Sequence, residues 1–147
     1  MYYVPEWFRL EEVVCPHVFN KFGYFAWSFF DDRSLRTMNM IRQKVGKTIT
    51  INTWIYGGEF SQRGLRCIQC SLVKTATNEG RVYCSPHIRG CAFDFDIKGL
   101  TAEESRQWII KNKELWPWPI RLEKDVNWVH LDTAPVQTYE KITLINP

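Results

Sequence analysis

Ser85-Pro86-His87-Ile88-Arg89-Gly90-Cys91-Ala92-Phe93-Asp94-Phe95-Asp96, answered downstream by Trp128-Val129-His130-Leu131-Asp132, is the part of the chain on which its reading turns. From Gly90 to Ile97 the residues alternate, which predicts a strand with Asp94 and Asp96 on one face and Cys91, Phe93, Phe95 and Ile97 on the other. Trp128–Asp132 alternates in the same way and predicts a second strand. His87 sits in a turn-forming Ser-Pro-His…Gly run seven residues before Asp94, so one tight bend brings both side chains to one point. Two histidines and one aspartate so placed are the ligand set of a catalytic zinc. Three protein ligands leave the fourth position to water, whereas a structural zinc is closed by four. The chain has three histidines, and His17 lacks this context. The pattern predicts zinc at His87, Asp94 and His130, and with it a hydrolase.

Working outward, Asp31-Asp32-Arg33-Ser34 has the acidic residues of a helix start. Leu35, Met38, Ile41 and Val45 follow at helical spacing, and Gly46 is placed to end the helix. Thr48–Trp54 alternates and is β-branched, predicting a strand. Tyr56–Tyr83 reads as a long irregular segment, expected to serve as a lid or substrate wall. Thr101-Ala102-Glu103-Glu104 matches a capping box and opens a helix to about Lys113, broken by Trp116-Pro117-Trp118-Pro119. Ile120–Glu123 and Trp128–Asp132 read as strands joined by Lys124-Asp125-Val126-Asn127, and one more strand is expected around Lys141–Leu144. Phe8–Val14 reads as a short helix or an extended arm. Helices and strands mix without βαβ alternation, so the expected fold is α+β, a mainly antiparallel sheet with flanking helices. No repeat or linker interrupts the chain, which reads as one domain over residues 1–147.

Hydrophobic content of 45% and charged content of 24% are ordinary for a globular protein. The seven tryptophans suit a core or a groove that stacks on sugars or peptides. A net charge of +3 without any Lys/Arg block argues against a nucleic-acid binder and suits a weakly acidic polymer such as a bacterial cell wall. No apolar run reaches membrane-span length, and the N-terminus shows no secretory signal, so synthesis in the cytoplasm is expected. Five cysteines, an odd count, read by default as reduced thiols. Cys67-Ile68-Gln69-Cys70 is a lone CxxC; with Cys84 and Cys15 or His17 it offers a second, structural zinc as the alternative.

The hairpin bears on the proton transfers. A symmetric loop 124–127 sets Glu123 opposite Trp128 and Arg121 opposite His130, so these four and Asp132 share the metal face. Glu123 is then the first candidate for general base and Asp125 the second, the alternative being that Glu123 pairs with Arg121 or a lysine. Asp96 and Asp132 read either as carboxylates that orient the ligating imidazoles or as exposed strand carboxylates.

Ser85-x-His87-x-x-Gly90-x-Ala92-x-Asp94, followed by Trp128-Val129-His130-x-Asp132, resembles the zinc D-Ala-D-Ala carboxypeptidase family. That family includes cell-wall carboxypeptidases, D-Ala-D-Ala dipeptidases and phage L-alanyl-D-glutamate endolysins, and shares its fold with the hedgehog signalling domain. Leu35, Met38, Ile41-Arg42 and Ile49-Thr50-Ile51-Asn52 are similar to its helix and following strand, and Phe8, Leu10 and Glu11 to its N-terminal approach, so the resemblance spans residues 8–133. It implies Zn2+ on His87, Asp94 and His130, and an arginine that binds the substrate carboxylate or polarises the scissile carbonyl. Many relatives carry a short Ser-Gly-Tyr-Arg turn there; this chain has a longer stretch, Trp54 to Arg66, with Arg63 the first choice and Arg66 the reserve. Many members place an acid three residues before the last histidine, and here that position is Asn127. The implied activity is a monomeric metallopeptidase cleaving peptidoglycan stem peptides, as a carboxypeptidase or as an endolysin of phage or prophage origin released to the cell wall. The alternative is a non-catalytic zinc-binding module on the same fold, for recognition or phage structure.

Overall fold

The computed structural model describes residues 1–147. Two short helices, α1 (Leu10–Val13) and α2 (Pro16–Phe22), precede the long helix α3 (Asp32–Val45). Strand β1 (Ile49–Thr50) follows, then a long excursion containing α4 (Ser71–Asn78), then β2 (Ala92–Ile97). Helix α5 (Ala102–Lys111), the hairpin strands β3 (Ile120–Glu123) and β4 (Val129–Asp132), and β5 (Ile142–Ile145) complete the chain. The architecture is α+β, as the mixed pattern predicts. The sheet, ordered β1-β2-β4-β3-β5, is however mixed rather than mainly antiparallel: β5 runs parallel to β3. After β4 the chain crosses to the far side of β3 instead of turning back on itself, and this non-local choice leaves no mark on strand composition.

The helices begin and end where local chemistry directs. Asp31 accepts the Arg33 backbone N–H at 2.8 Å, and Thr101 and Glu104 form the reciprocal capping box of α5. One face of the sheet carries Phe93, Phe95, Leu122, Val129 and Leu131, all fully buried, in one apolar core with Leu35, Met38 and Ile41 of α3, Ile109 of α5 and Trp116. The other face carries Asp94, His130, Asp132 and Arg121. The period of two thus sorts core from polar residues on every central strand.

The predicted strand Thr48–Trp54 is cut to two residues because Asn52 turns inward. Its buried amide donates to the Val14 carbonyl at 3.0 Å and accepts the Arg63 N–H at 2.9 Å. The excursion then takes the strand's place beside β2, where the Arg63 carbonyl accepts the Asp94 N–H at 2.7 Å. Next to it Leu65 bridges Val14 in parallel, closing so tightly that a Cβ on Gly64 would lie 2.0 Å from the Val13 oxygen. The stretch 71–78, expected to be irregular, is helix α4, held by the burial of Val73 and Ala76.

The hairpin pairs Arg121 with Asp132 and Leu122 with Leu131, two positions away from the symmetric register. Asp125, at φ 61°, bends the tip. Because the displacement is even, the faces are unchanged: Glu123, Arg121, His130 and Asp132 still alternate onto the polar side.

Candidate metal centre

His87 is carried by the turn 85–90, which Gly90 makes possible. At φ +66°, Gly90 packs so close to the preceding helical segment that a Cβ would lie 2.3 Å from the Phe29 oxygen. Its carbonyl accepts the Asp31 N–H and the Ser34 hydroxyl, fixing the turn to the start of α3. Asp94 and His130 face each other across the β2–β4 pair. The register therefore brings His87, Asp94 and His130 together, with one donor atom of each within 4.8 Å of the others.

The hydrogen bonds fix which atoms are free. His87 Nδ1 lies 2.9 Å from the Gly64 carbonyl, which can only accept, so Nδ1 carries hydrogen and the Nε2 lone pair is turned toward Asp94 Oδ2 at 3.2 Å. His130 Nε2 lies 3.0 Å from Asp132 Oδ2, and its Nδ1 lies 2.7 Å from Asp94 Oδ1. With Nε2–H donated to Asp132, the second imidazole also aims a lone pair at Asp94. All three residues are buried. Lone pairs facing a carboxylate out of water repel unless a cation stands between them, whether a proton or a metal. The donor set therefore fits a divalent ion bound by two imidazoles and a carboxylate. His87 faces Oδ2 and His130 faces Oδ1, so the two imidazoles approach the carboxylate at its separate oxygens.

Electrostatics at the three groups are divided. Burial, the largest influence on His87, pushes its imidazolium below the ordinary range against the pull of Asp94. Burial acts the same way on His130, but hydrogen bonds to Asp132 and Asp94 outweigh it and raise the ring to about 9. The Asp94 carboxyl is held well below its usual range, the two imidazoles overcoming burial. Without a metal, His130 is the proton carrier of the cluster and His87 the neutral member.

Asp132 is fully buried, bonded to His130, to the Ala134 N–H, and through both oxygens to Arg121 at 2.7 and 2.9 Å. It stands where a carboxylate orients a ligating imidazole. Asp96 does not. Its side chain, 44% exposed, pairs with Arg63 at 2.5 Å and touches neither ring. Arg66 donates to Asp94 Oδ2 at 2.9 Å and to the Tyr83 hydroxyl at 2.6 Å, while Arg63 lies over the Phe60 ring. Both arginines, Phe60, Asp94 and Trp128 wall a cavity of about 410 Å³. A larger one, about 650 Å³, is lined by neither His87 nor His130 and lies beside His17 and Cys67. Glu123 is half-buried at the end of β3 and makes no side-chain hydrogen bond or ion pair, so the expected pairing with Arg121 is not formed; that arginine is taken by Asp132. Asp125 and Asn127 are exposed on the hairpin tip.

The Gly64 carbonyl and the Tyr83 hydroxyl are part of the site and escaped sequence reasoning. A backbone acceptor has no residue signature, and nothing local ties Tyr83 to a residue 17 positions earlier. Comparison with family models, with curated proteins and with solved structures yields no match.

Proposed function

We propose that the chain is a zinc-dependent peptidase that hydrolyses a bond in peptidoglycan stem peptides, as a D,D-carboxypeptidase or an endolysin-type endopeptidase on a hedgehog/DD-peptidase-like fold. The observation that carries the reading is the convergence of two imidazole lone pairs and the Asp94 carboxylate beside an arginine-walled cavity. The substrate class rests on the motif resemblance of His87, Asp94 and His130. A zinc held by these three residues supplies Lewis acidity and acidified water.

The chain's own residues do the rest. Gly64 and Asp132 hold the two imidazoles in the ligating tautomers. Arg66, with an 11% exposed side chain, is committed to Asp94 and Tyr83. Arg63 stacks on Phe60 and its one ion pair is with the half-exposed Asp96, a pair that a substrate carboxylate can displace, so Arg63 is the anchor. Glu123, unpaired and on the face of His130, takes the proton from water and returns it to the leaving amine. Trp128 offers a flat wall for the peptide or its sugar.

Purified protein is incubated with cell-wall sacculi and the released peptides are identified by mass spectrometry. Release should stop with a chelator and return with zinc. Glu123→Gln should lower it by about 10²–10⁴-fold at unchanged zinc content, and Asp125→Asn by less. A zinc-loaded wild type that releases nothing, but gains hydrolysis as Asn127→Glu, establishes instead the non-catalytic zinc module, which the exposed Asn127 at the relatives' acid position favours.

A further inference from the structure

The excursion between β1 and β2 and the N-terminal helices meet at a second cluster of donors: Cys15, His17, Cys67 and Cys70. Cys15 directly precedes α2 and His17 lies in its first turn, while Cys67 and Cys70 form the bend that leads into α4. The sulfurs of Cys15 and Cys67 are 3.7 Å apart, and those of Cys67 and Cys70 are 4.0 Å apart. His17 Nδ1 lies 3.6 Å from the Cys67 sulfur and 4.0 Å from that of Cys70. A tetrahedral zinc with bonds of 2.3 Å to sulfur and 2.0–2.1 Å to nitrogen requires edges of ~3.8 and ~3.5 Å. The cluster has these dimensions with no ligand having to move far.

Two further observations favour a metal over a disulfide. The Gln69 N–H points at the Cys67 sulfur and the Cys67 N–H at that of Cys70, each at 3.4 Å, the outer contacts that a metal-bound sulfur accepts. A disulfide between any two of the three sulfurs needs an approach to about 2.05 Å and leaves the third thiol and the imidazole without a role. Cys84, which the sequence offers as a further ligand, is exposed and outside the cluster. Cys15 and His17, alternatives to one another in the sequence, both join the pair, brought to it by the Val14–Leu65 bridge and the Cys15 N–H to Leu65 carbonyl bond.

We propose that Cys15, His17, Cys67 and Cys70 hold a structural zinc that pins the segment 64–70 to the N-terminal helices. Four protein ligands close the shell, so this ion stabilises and does not catalyse. Its position is specific: Cys67 follows Arg66, whose guanidinium holds Asp94, and Gly64, whose carbonyl holds His87, lies three residues earlier. The clamp fixes the wall of the other centre from behind.

The test uses full-length protein with His87→Ala and His130→Ala together, which removes the other centre and any activity from the readout. This variant should retain about one zinc per chain. Cobalt substituted for that zinc should give a thiolate-to-metal charge-transfer band that titrates to a single equivalent. Adding Cys67→Ser and Cys70→Ser should abolish the band and the retained zinc. Should that variant not fold, the same cobalt titration is made on reduced, metal-stripped protein with all cysteines intact, where His17→Cys should keep the band and change its energy. A double-histidine variant without metal, a cobalt spectrum without thiolate character, or a disulfide among Cys15, Cys67 and Cys70 in metal-loaded protein overturns the proposal. None of these results bears on whether the intact protein hydrolyses cell wall.

Discussion

Two clusters of side chains that could hold a metal meet at the segment 64–70, and they are built in opposite ways. His87, Asp94 and His130 belong to a sheet face and its flanking turn; three donors are present, and both imidazoles face Asp94. Cys15, His17, Cys67 and Cys70 belong to bends and a short helix; four donors are present at tetrahedral spacing. The first is incomplete and embedded in rigid structure, which suits a centre that must keep a position open and hold its geometry during a reaction. The second is complete and made of segments with little regular hydrogen bonding, which suits a centre that supplies the order itself. The element type beneath a metal site is thus informative about its role, beyond the count of ligands.

The sharpest break between the two comes from removing ligands. Asp94→Ala or His130→Ala should abolish hydrolysis and one equivalent of metal while leaving the thiolate cobalt band intact. Cys67→Ser with Cys70→Ser should instead depress the thermal midpoint strongly. Metal analysis beside calorimetry separates them, and identical behaviour of both sets of variants would erase the distinction.

Removing a residue behind a ligand should act less severely. Asp132→Asn keeps the shape but weakens the hold on the His130 tautomer, so metal affinity at the sheet centre should fall by about 10–100-fold, measured by competition with a chromophoric chelator. The thiolate cobalt band should not respond.

At the sheet centre a proton replaces the metal on His130, and pH should reveal it. In metal-free protein the His130 ring, set among Asp94, Asp132, Arg66, Arg121 and His87, is raised to about 9. Its contribution is fully present below the unfolded value of ~6.5 and is lost as pH rises through about 9, on the order of a few kcal/mol. His87, pushed down by burial, works in the other direction and lowers stability as pH falls below ~6.5. Denaturant midpoints of stripped protein should therefore peak between these limits, and His130→Gln should remove the decline on the alkaline side. A decline that survives this change would place the proton elsewhere.

The smallest effect separates the two arginines. Arg63→Lys keeps charge but loses the planar fork, so turnover should fall with metal content intact. Arg66→Lys should loosen Asp94 and reduce metal affinity as well. If only Arg66→Lys impairs turnover, the anchor belongs to Arg66.

Much of this was legible in the sequence because its causes are local. Asp31, Gly46 and the Thr101–Glu104 pair mark helix ends through bonds to neighbouring residues, and alternation sorted Asp94 and His130 from Phe93 and Leu131 onto opposite faces. The failures are non-local. Helix α4 has β-branched residues and an uncapped start, and forms because Val73 and Ala76 find a core to enter. The parallel β5, the displaced hairpin register and the pairing of Asp96 with Arg63 each depend on what lies across the fold. The Cys67–Cys70 pair was visible, with Cys84 and either Cys15 or His17 as its possible partners, but that Cys15 and His17 both join it and Cys84 does not was hidden, since Cys15 reaches Cys67 only through contacts spanning 52 residues.

At position 64 the side chain is a single hydrogen atom, and the neighbouring backbone oxygen leaves room for nothing larger. Any substitution there must first part the chain from Val13, and the carbonyl that fixes the His87 tautomer moves with it. A mutational survey scored by metal content would then report Gly64 among the intolerant positions, although it donates no side-chain atom to any ion. The imidazole's nitrogen chemistry is, in that sense, inherited from a steric fact about the main chain.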